Sequence, residues 1–328
     1  MITEAEFKKY KKSIKSKYST PKTNKPEIHK PKTDKPKFDA QKFQVYASNF
    51  DSSKLEPGAV MSVIKQMKGQ LHQPHGGLIK SNWFEQIDLS SENKLYDAEN
   101  GFPTCIAVTV ERLSRYFIEN DKNRKRKIFN FVDSGIFHAA ISEMVSDKRA
   151  KFDELFEKHV KHTRNLKSKI KDLNIESIKA TYELMSYDVL SPDRFFLEDI
   201  SAINDETFKN IEIMVQRTLN FFEGQKVNCG LPFSNCGDII TGGETDFITD
   251  DTLYDMKVYR KAILNKDHKL QIVIYWILGL HSGYKEQFEK IKKLSIFNPR
   301  LNVVWVLDVS DIPNEVIKFI EAKVIGCH

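Results

Sequence analysis

Two carboxylates and an ammonium are brought together by the stretch Gly243-Glu-Thr-Asp246-Phe-Ile-Thr-Asp-Asp-Thr-Leu-Tyr-Asp255-Met-Lys257. If Asp250 and Asp251 form the tip of a β-hairpin, Asp246 stands directly opposite Asp255. Period-two alternation then carries Lys257 to the same face of the sheet. Carboxylates held that close repel each other unless one is protonated or a cation lies between them, and hard oxygen ligands suit Mg²⁺ or Mn²⁺. Such an ion polarises a phosphoryl group and acidifies an attacking water, while a neighbouring lysine stabilises developing charge. The chemistry expected of this trio is phosphodiester hydrolysis. The bland alternative is an Asp246 to Lys257 ion pair on a solvated hairpin.

The surrounding elements argue for the first reading. Asp255-Met-Lys257 lies in an apolar strand with Leu253, Met256 and Val258, and Gln271-Ile-Val-Ile-Tyr275 follows on a predicted helix from His268 to Leu280. Gln271 and Tyr275 are one turn apart and share a face. Upstream, Ile211, Met214, Val215, Leu219 and Phe222 give an amphipathic helix over residues 205 to 222, with Asp205 as the expected N-cap. Short segments Asp238 to Thr241, Thr245 to Thr249 and Leu253 to Val258 read as strands. Asn302 to Leu307 reads as a strand after the Asn298-Pro299 stop, and Asn314 to Lys323 as a last helix. The layout is α/β with a mixed sheet.

Gly-x-x-Asp, Asp-x-Lys at hairpin spacing and Gln-x-x-x-Tyr on the next helix resemble, in that order, the RecB-like branch of the PD-(D/E)xK nuclease superfamily, over roughly residues 205 to 328. The resemblance implies a restriction-endonuclease-like αβββαβ core, a mixed β-sheet flanked by helices. It implies a divalent metal on Asp246 and Asp255 with help from the Met256 carbonyl, Lys257 as catalytic lysine, and Gln271 and Tyr275 beside the site. A closer similarity is to bacterial and phage proteins that share the run around Asp246 to Lys257 and a segment like Ile296-Phe-Asn-Pro-Arg300-Leu-Asn302. The family commonly adds an acid or histidine from helices before the sheet. Glu212, Glu183 and Asp188 are the candidates here, with Asp188 preferred. Some relatives hold an iron–sulfur cluster on one early and three late cysteines. Only Cys327 lies late in this chain, so no such cluster is expected.

Composition sets outer bounds. A chain of 328 residues with 40% hydrophobic content has material for one large core or two modest ones. Its longest apolar run, Ile272 to Leu280, is too short for a bilayer, and no apolar segment follows the N-terminal charges. With four cysteines and no C-x2-C pair, a reducing cytoplasm is expected, bacterial or, for a phage gene, that of its host. Residues 1 to 42 hold 13 Lys against 5 acids, so a net charge of +6 leaves the body of the chain nearly neutral. That segment, with Pro21, Pro26, Pro31 and Pro36 evenly spaced, reads as an extended basic arm. Residues 43 to 200 read as a mainly helical region able to dock a protein partner, and 201 to 328 as the nuclease core.

DNA is the expected substrate. Its contacts are sought in Lys122, Arg124, Lys125, Arg126 and Lys127, a basic run between helices, and in Arg300, whose alternative role is strand entry. His72, Pro74, His75, Gly76 and Gly77 mark a loop. His138 is expected to be packed, and His159 and His162 to be solvated. No Gly-x-Ser-x-Gly or Gly-x4-Gly-Lys-Ser/Thr motif exists, which argues against serine nucleophiles and an ATP-driven motor. A module that keeps this fold and binds nucleic acid or protein without turnover is the alternative function.

Overall fold

The computed structural model of the chain describes residues 27–28, 38–70, 77–89, 93–129, 133–147, 151–189, 199–234 and 237–327. Most of the basic arm, and the loop at His72, Pro74, His75 and Gly76, lie outside them.

In chain order the elements are β1 (Glu27–Ile28), α1 (Ala40–Asn49), β2 (Gly58–Ala59), α2 (Val60–Gln70) and β3 (Glu85–Asp88). Five helices follow: α3 (Pro103–Ile118), α4 (Lys122–Lys127), α5 (Asp133–Ser146), α6 (Phe152–Lys169) and α7 (Ile175–Asp188). Then come α8 (Asp205–Phe221), β4 (Asn228–Cys229), β5 (Pro232–Ser234), β6 (Ile240–Glu244), β7 (Phe247–Ile248), β8 (Thr252–Met256) and α9 (Lys266–Leu280). The chain closes with α10 (Lys285–Phe288), β9 (Lys293–Asn298), β10 (Val303–Asp308) and α11 (Asn314–Phe319). The fold is mixed α/β, as the sequence led us to expect.

A seven-stranded sheet in the order β1-β3-β10-β9-β8-β7-β4 forms the centre, and β2-β6-β5 make a small second sheet. All pairings in the large sheet are antiparallel except β8 with β9, which are parallel and joined through α9. The first part of the segment Ile296 to Asn302, which the sequence reads as a turn into the following strand, belongs to the central strand β9 (Lys293–Asn298). From Leu294 to Asn298 its side chains are buried because both sheet faces are covered, so it lacks the polar alternation that marks a half-solvated strand. The segment around Ile240 leaves the main sheet. Strands β4–β5 and β6–β7 form one antiparallel pair in a single register, and it bends between sheets at Gly230, whose φ is +61°.

Alternation along the strands divides the interior into two cores. Ile248, Leu253, Leu294, Ile296, Val303, Trp305 and Leu307 face one, beneath α1, α2, α9 and α11. Phe247, Met256, Phe297 and Val304 face the other, beneath α3 and α5 to α8. Residues on either side of position 200 share both cores, and β3 extends the sheet by pairing with β10. The region expected to be mainly helical therefore supplies an inner strand of the sheet.

Local sequence explains the helix ends that matter. Asn204, rather than Asp205, caps α8, its side chain accepting the Thr207 N–H. Asn265 caps α9 in the same way through Asp267. Buried residues lie all round α9, so it runs through the interior. Helices α5 and α7 approach so closely that a Cβ on Gly135 would lie 2.0 Å from the Tyr187 carbonyl oxygen. Gly135→Ala is expected to destabilise the protein by about 1–3 kcal/mol despite alanine's better helix propensity. Urea unfolding of the variant checks this, and a variant more stable than the parent would contradict the close approach.

Candidate active site

The β7–β8 hairpin has the register anticipated from the sequence. Phe247 pairs with Tyr254 and Ile248 with Leu253, and Thr249 N–H donates to Thr252 O at 3.0 Å across the tip. One step beyond the ladder, Asp246 faces Asp255. Counting the alternation of close and wide pairs from Thr249 makes this a non-hydrogen-bonded pair, with Cα atoms about 4.5 Å apart. Both aspartates are buried. Asp246 Oδ2 accepts the Met256 N–H at 2.6 Å. Lys257 Nζ donates to Asp255 Oδ1 at 2.8 Å and lies 2.6 Å from Oδ2. Lys257 N–H donates to Phe297 O at 2.9 Å, fastening the end of β8 to β9.

Helix α9 covers this group. Gln271 Nε2 donates to the Tyr275 hydroxyl at 2.8 Å, and Gln271 Oε1 is buried without a hydrogen-bond partner among the described residues. Burial, then Asp255 and Asp246, pushes the Tyr275 hydroxyl above its ordinary pKa, so the phenol stays neutral and keeps its proton to donate. The five residues expected to carry chemistry therefore stand together.

Sequence reasoning missed the residues that complete the site, Glu111 and Arg115 on α3. Arg115 is only 2% exposed. Its Nη2 donates to Asp246 Oδ1 at 2.7 Å and to Thr245 O at 3.0 Å, and lies 2.9 Å from Glu111 Oε1. Its Nη1 pairs with Glu244. At the bend, a side chain on Gly230 would strike that pair, its Cβ lying 2.7 Å from Glu244 Oε1. An i to i+4 Glu-Arg step on a helix ordinarily reads as a solvated surface pair, and here it is turned into the protein.

Charge balance follows from this packing. Burial and the Glu111 carboxylate push Asp246 up to about 7 against the opposing pull of Arg115. Asp255 is also raised by burial, in spite of Lys257. Burial works against the Lys257 ammonium, but Asp255, Asp246 and Glu111 outweigh it and raise its pKa. Lys257 is thus held charged.

Close by, burial and the Lys257 charge depress His268 from 6.5 to about 4. Between those values the unfolded chain binds the proton and the folded chain does not. Stability is therefore expected to fall by about 2–3 kcal/mol as pH drops from 6.5 to 4. Urea midpoints at the two pH values should show the loss, and His268→Phe should flatten that part of the profile.

Asp188, favoured as the upstream acid, is half-buried within electrostatic reach of Arg112, Glu111 and Glu244, and burial raises it to about 6. Glu183 pairs with His162 at 2.6 Å. The acid brought into the site is Glu111. The basic run is a short helix rather than a loop, and two of its members point inward. Arg124 pairs with Glu119 and donates to the Cys229 carbonyl, and Lys125 sits 4.1 Å from the centre of the Tyr116 ring. Lys122 and Lys127 are exposed, and the Arg126 side chain lies outside the described residues. Arg300 is taken up by Glu99, donating at 2.9 and 3.0 Å with its side chain 10% exposed, which leaves it the strand-entry role. His159, expected to be solvated, is buried with Nδ1 2.9 Å from the Tyr187 hydroxyl, because the α6 face beneath it packs on α7. No helix among the described residues is long and apolar enough to cross a membrane.

No family model, curated protein or solved structure matches the chain. What the site could hold must be judged from its own chemistry. Asp246 and Glu111 converge on one cationic nitrogen of Arg115, which stands where a metal ion would be drawn. No three His, Cys, Asp or Glu side chains among the described residues form a metal-holding group. Mg²⁺ commonly takes only one or two protein carboxylates and fills its shell with water and phosphate. Asp246 and Asp255, with the Met256 carbonyl, fit that hard-oxygen pattern.

Proposed function

We propose that the chain is a divalent-metal-dependent nuclease that hydrolyses DNA phosphodiester bonds, built on a RecB-like PD-(D/E)xK core and active in bacterial or phage DNA processing or defence in the cytoplasm. The observation that carries this reading is the placement of Asp246 opposite Asp255, with Lys257 on the same face under Gln271 and Tyr275. In favour of such a core, α8 is followed by three strands of the large sheet, β4, β7 and β8, then by α9 and β9, the αβββαβ order, with β5 and β6 as an excursion between β4 and β7. Mg²⁺ or Mn²⁺ bound by Asp246, Asp255 and the Met256 carbonyl would supply Lewis-acid polarisation of the phosphate.

The chain's own groups divide the remaining work. Lys257, held charged, orients the attacking water and stabilises negative charge on the phosphoryl oxygens. Asp255 fixes the direction of that ammonium. Tyr275 and Gln271 line the side under α9, where the free Gln271 Oε1 accepts a hydrogen bond from the water. A cleft of about 640 Å³ at the hairpin tip, lined by Lys226, Lys285, Lys290 and Tyr284 together with the acids Asp250 and Glu286, offers one place for a DNA strand. Lysines track phosphates and a tyrosine ring accepts a stacked base.

A second reading has one observation in its favour. Arg115 already neutralises Asp246, as expected of a module that binds nucleic acid or a protein partner, through residues 43 to 200, without turnover. Incubation of the purified protein with linear and circular DNA, single- and double-stranded, in Mg²⁺, Mn²⁺ or EDTA separates the two. Cleavage that requires the metal is expected. DNA left intact under every condition, alongside salt-dependent DNA binding, would favour the module.

A further inference from the structure

Arg115 is placed unusually for a structural arginine. A single nitrogen, Nη2, serves Asp246 at 2.7 Å and Glu111 at 2.9 Å, so the guanidinium fills the point where the two carboxylates meet. We propose that Arg115 is the resident counter-cation of the nuclease site, and that a divalent ion enters by exchange with its guanidinium rather than by filling a waiting cage. This rests on the nuclease reading of Asp246 and Asp255.

Three observations carry the exchange. A guanidinium and a divalent ion cannot share one carboxylate oxygen at close range without strong mutual repulsion, so occupation of Asp246 Oδ1 is exclusive. Arg115 also has a partner to keep when it lets go. Its Nη1 already pairs with Glu244, whose side chain is 42% exposed and opens toward solvent, so release needs a change of side-chain rotamer and no movement of α3. Finally, the Arg115 Nε is buried without a hydrogen-bond partner among the described residues, so the side chain is incompletely satisfied where it stands. An incoming phosphate would give the displaced guanidinium an anionic partner. Metal and DNA should therefore each strengthen the binding of the other.

The test is calorimetric titration of the full chain with Mn²⁺ alone, which needs no catalysis. The variant Arg115→Met/Glu244→Gln removes one charge of each sign and so leaves the net charge unchanged. It is expected to bind Mn²⁺ about ten-fold more tightly than the parent, equivalent to about 1.4 kcal/mol. Arg115→Lys, which keeps the charge without the fork, should fall between them and carries the comparison if the double variant does not fold. Asp246→Asn is expected to abolish binding in every background. Equal or weaker Mn²⁺ binding in the folded Arg115 variants, with binding still lost in Asp246→Asn, would overturn the exchange and leave the nuclease reading standing. Absence of Mn²⁺ binding in the parent and all variants would overturn both.

Discussion

Lys257→Met is expected to slow metal-dependent DNA cleavage by about 10²–10³-fold, the usual effect of deleting one preorganised electrostatic group from a buried site. The magnitude follows from where the ammonium is held. Asp255 fixes it from both carboxylate oxygens, Asp246 and Glu111 add negative potential, and its pKa lies above that of a free lysine. Such a lysine does not give up a proton near neutrality, so its contribution is charge at a fixed point. Lys257→Arg keeps the charge and the Asp255 pair but spreads the charge over a planar fork, and should recover only part of the rate. Single-turnover cleavage of end-labelled DNA in Mn²⁺, with circular dichroism as the control for folding, measures both. A Lys257→Met rate within about threefold of the parent would remove the lysine from the chemistry.

The second large effect concerns stability. Arg115→Met alone is expected to cost about 3–5 kcal/mol, since it strips from a buried ion cluster the cation that Asp246 and Glu111 share directly. Two measurements separate this from a simple loss of packing. Millimolar Mn²⁺ should restore much of the thermal midpoint, because a ligand that binds only the folded state stabilises it. Lowering the pH from 8 to 6 should restore some as well. Asp246 already titrates near 7 in the intact cluster, and without the guanidinium its pKa rises further and its protonation relieves the repulsion. An unfolding midpoint indifferent to both would reduce Arg115 to a space-filling side chain.

The sequence carried the hairpin well because its signals are local. Two aspartates at the tip, apolar residues at alternate positions and fixed cross-strand spacing determine which residues face one another. Gln271 and Tyr275 were legible for the same reason, being one turn apart on an uninterrupted helix. Glu111 and Arg115 were not, since their meaning depends on the Glu244 to Asp246 corner far along the chain. On α3 itself the evident feature is the apolar stripe Ile106, Val110, Leu113 and Phe117, of which the first three are buried and Phe117 is partly buried against the same core. Strand β9 was hidden by the coverage of both its faces. Strand β3 was hidden by four half-buried residues of mixed polarity that show no clear alternation. His159 was misplaced because a Lys-rich helix was taken to expose a face that packs on α7.

The ladder between β3 and β10 joins Glu85–Asp88 to Val303–Val306. During synthesis the earlier strand leaves the ribosome long before its partner exists, so its unpaired backbone and the apolar residues around Trp83 must wait for most of the chain to be made. Closure of the sheet is therefore a late event in the life of each molecule. The β7–β8 hairpin, whose strands are neighbours in sequence, can form well before it. A chain stalled before Val303 would carry the aspartates and the lysine on a sheet lacking its β10 strand, a form suited to capture by chaperones or proteases rather than to cutting DNA.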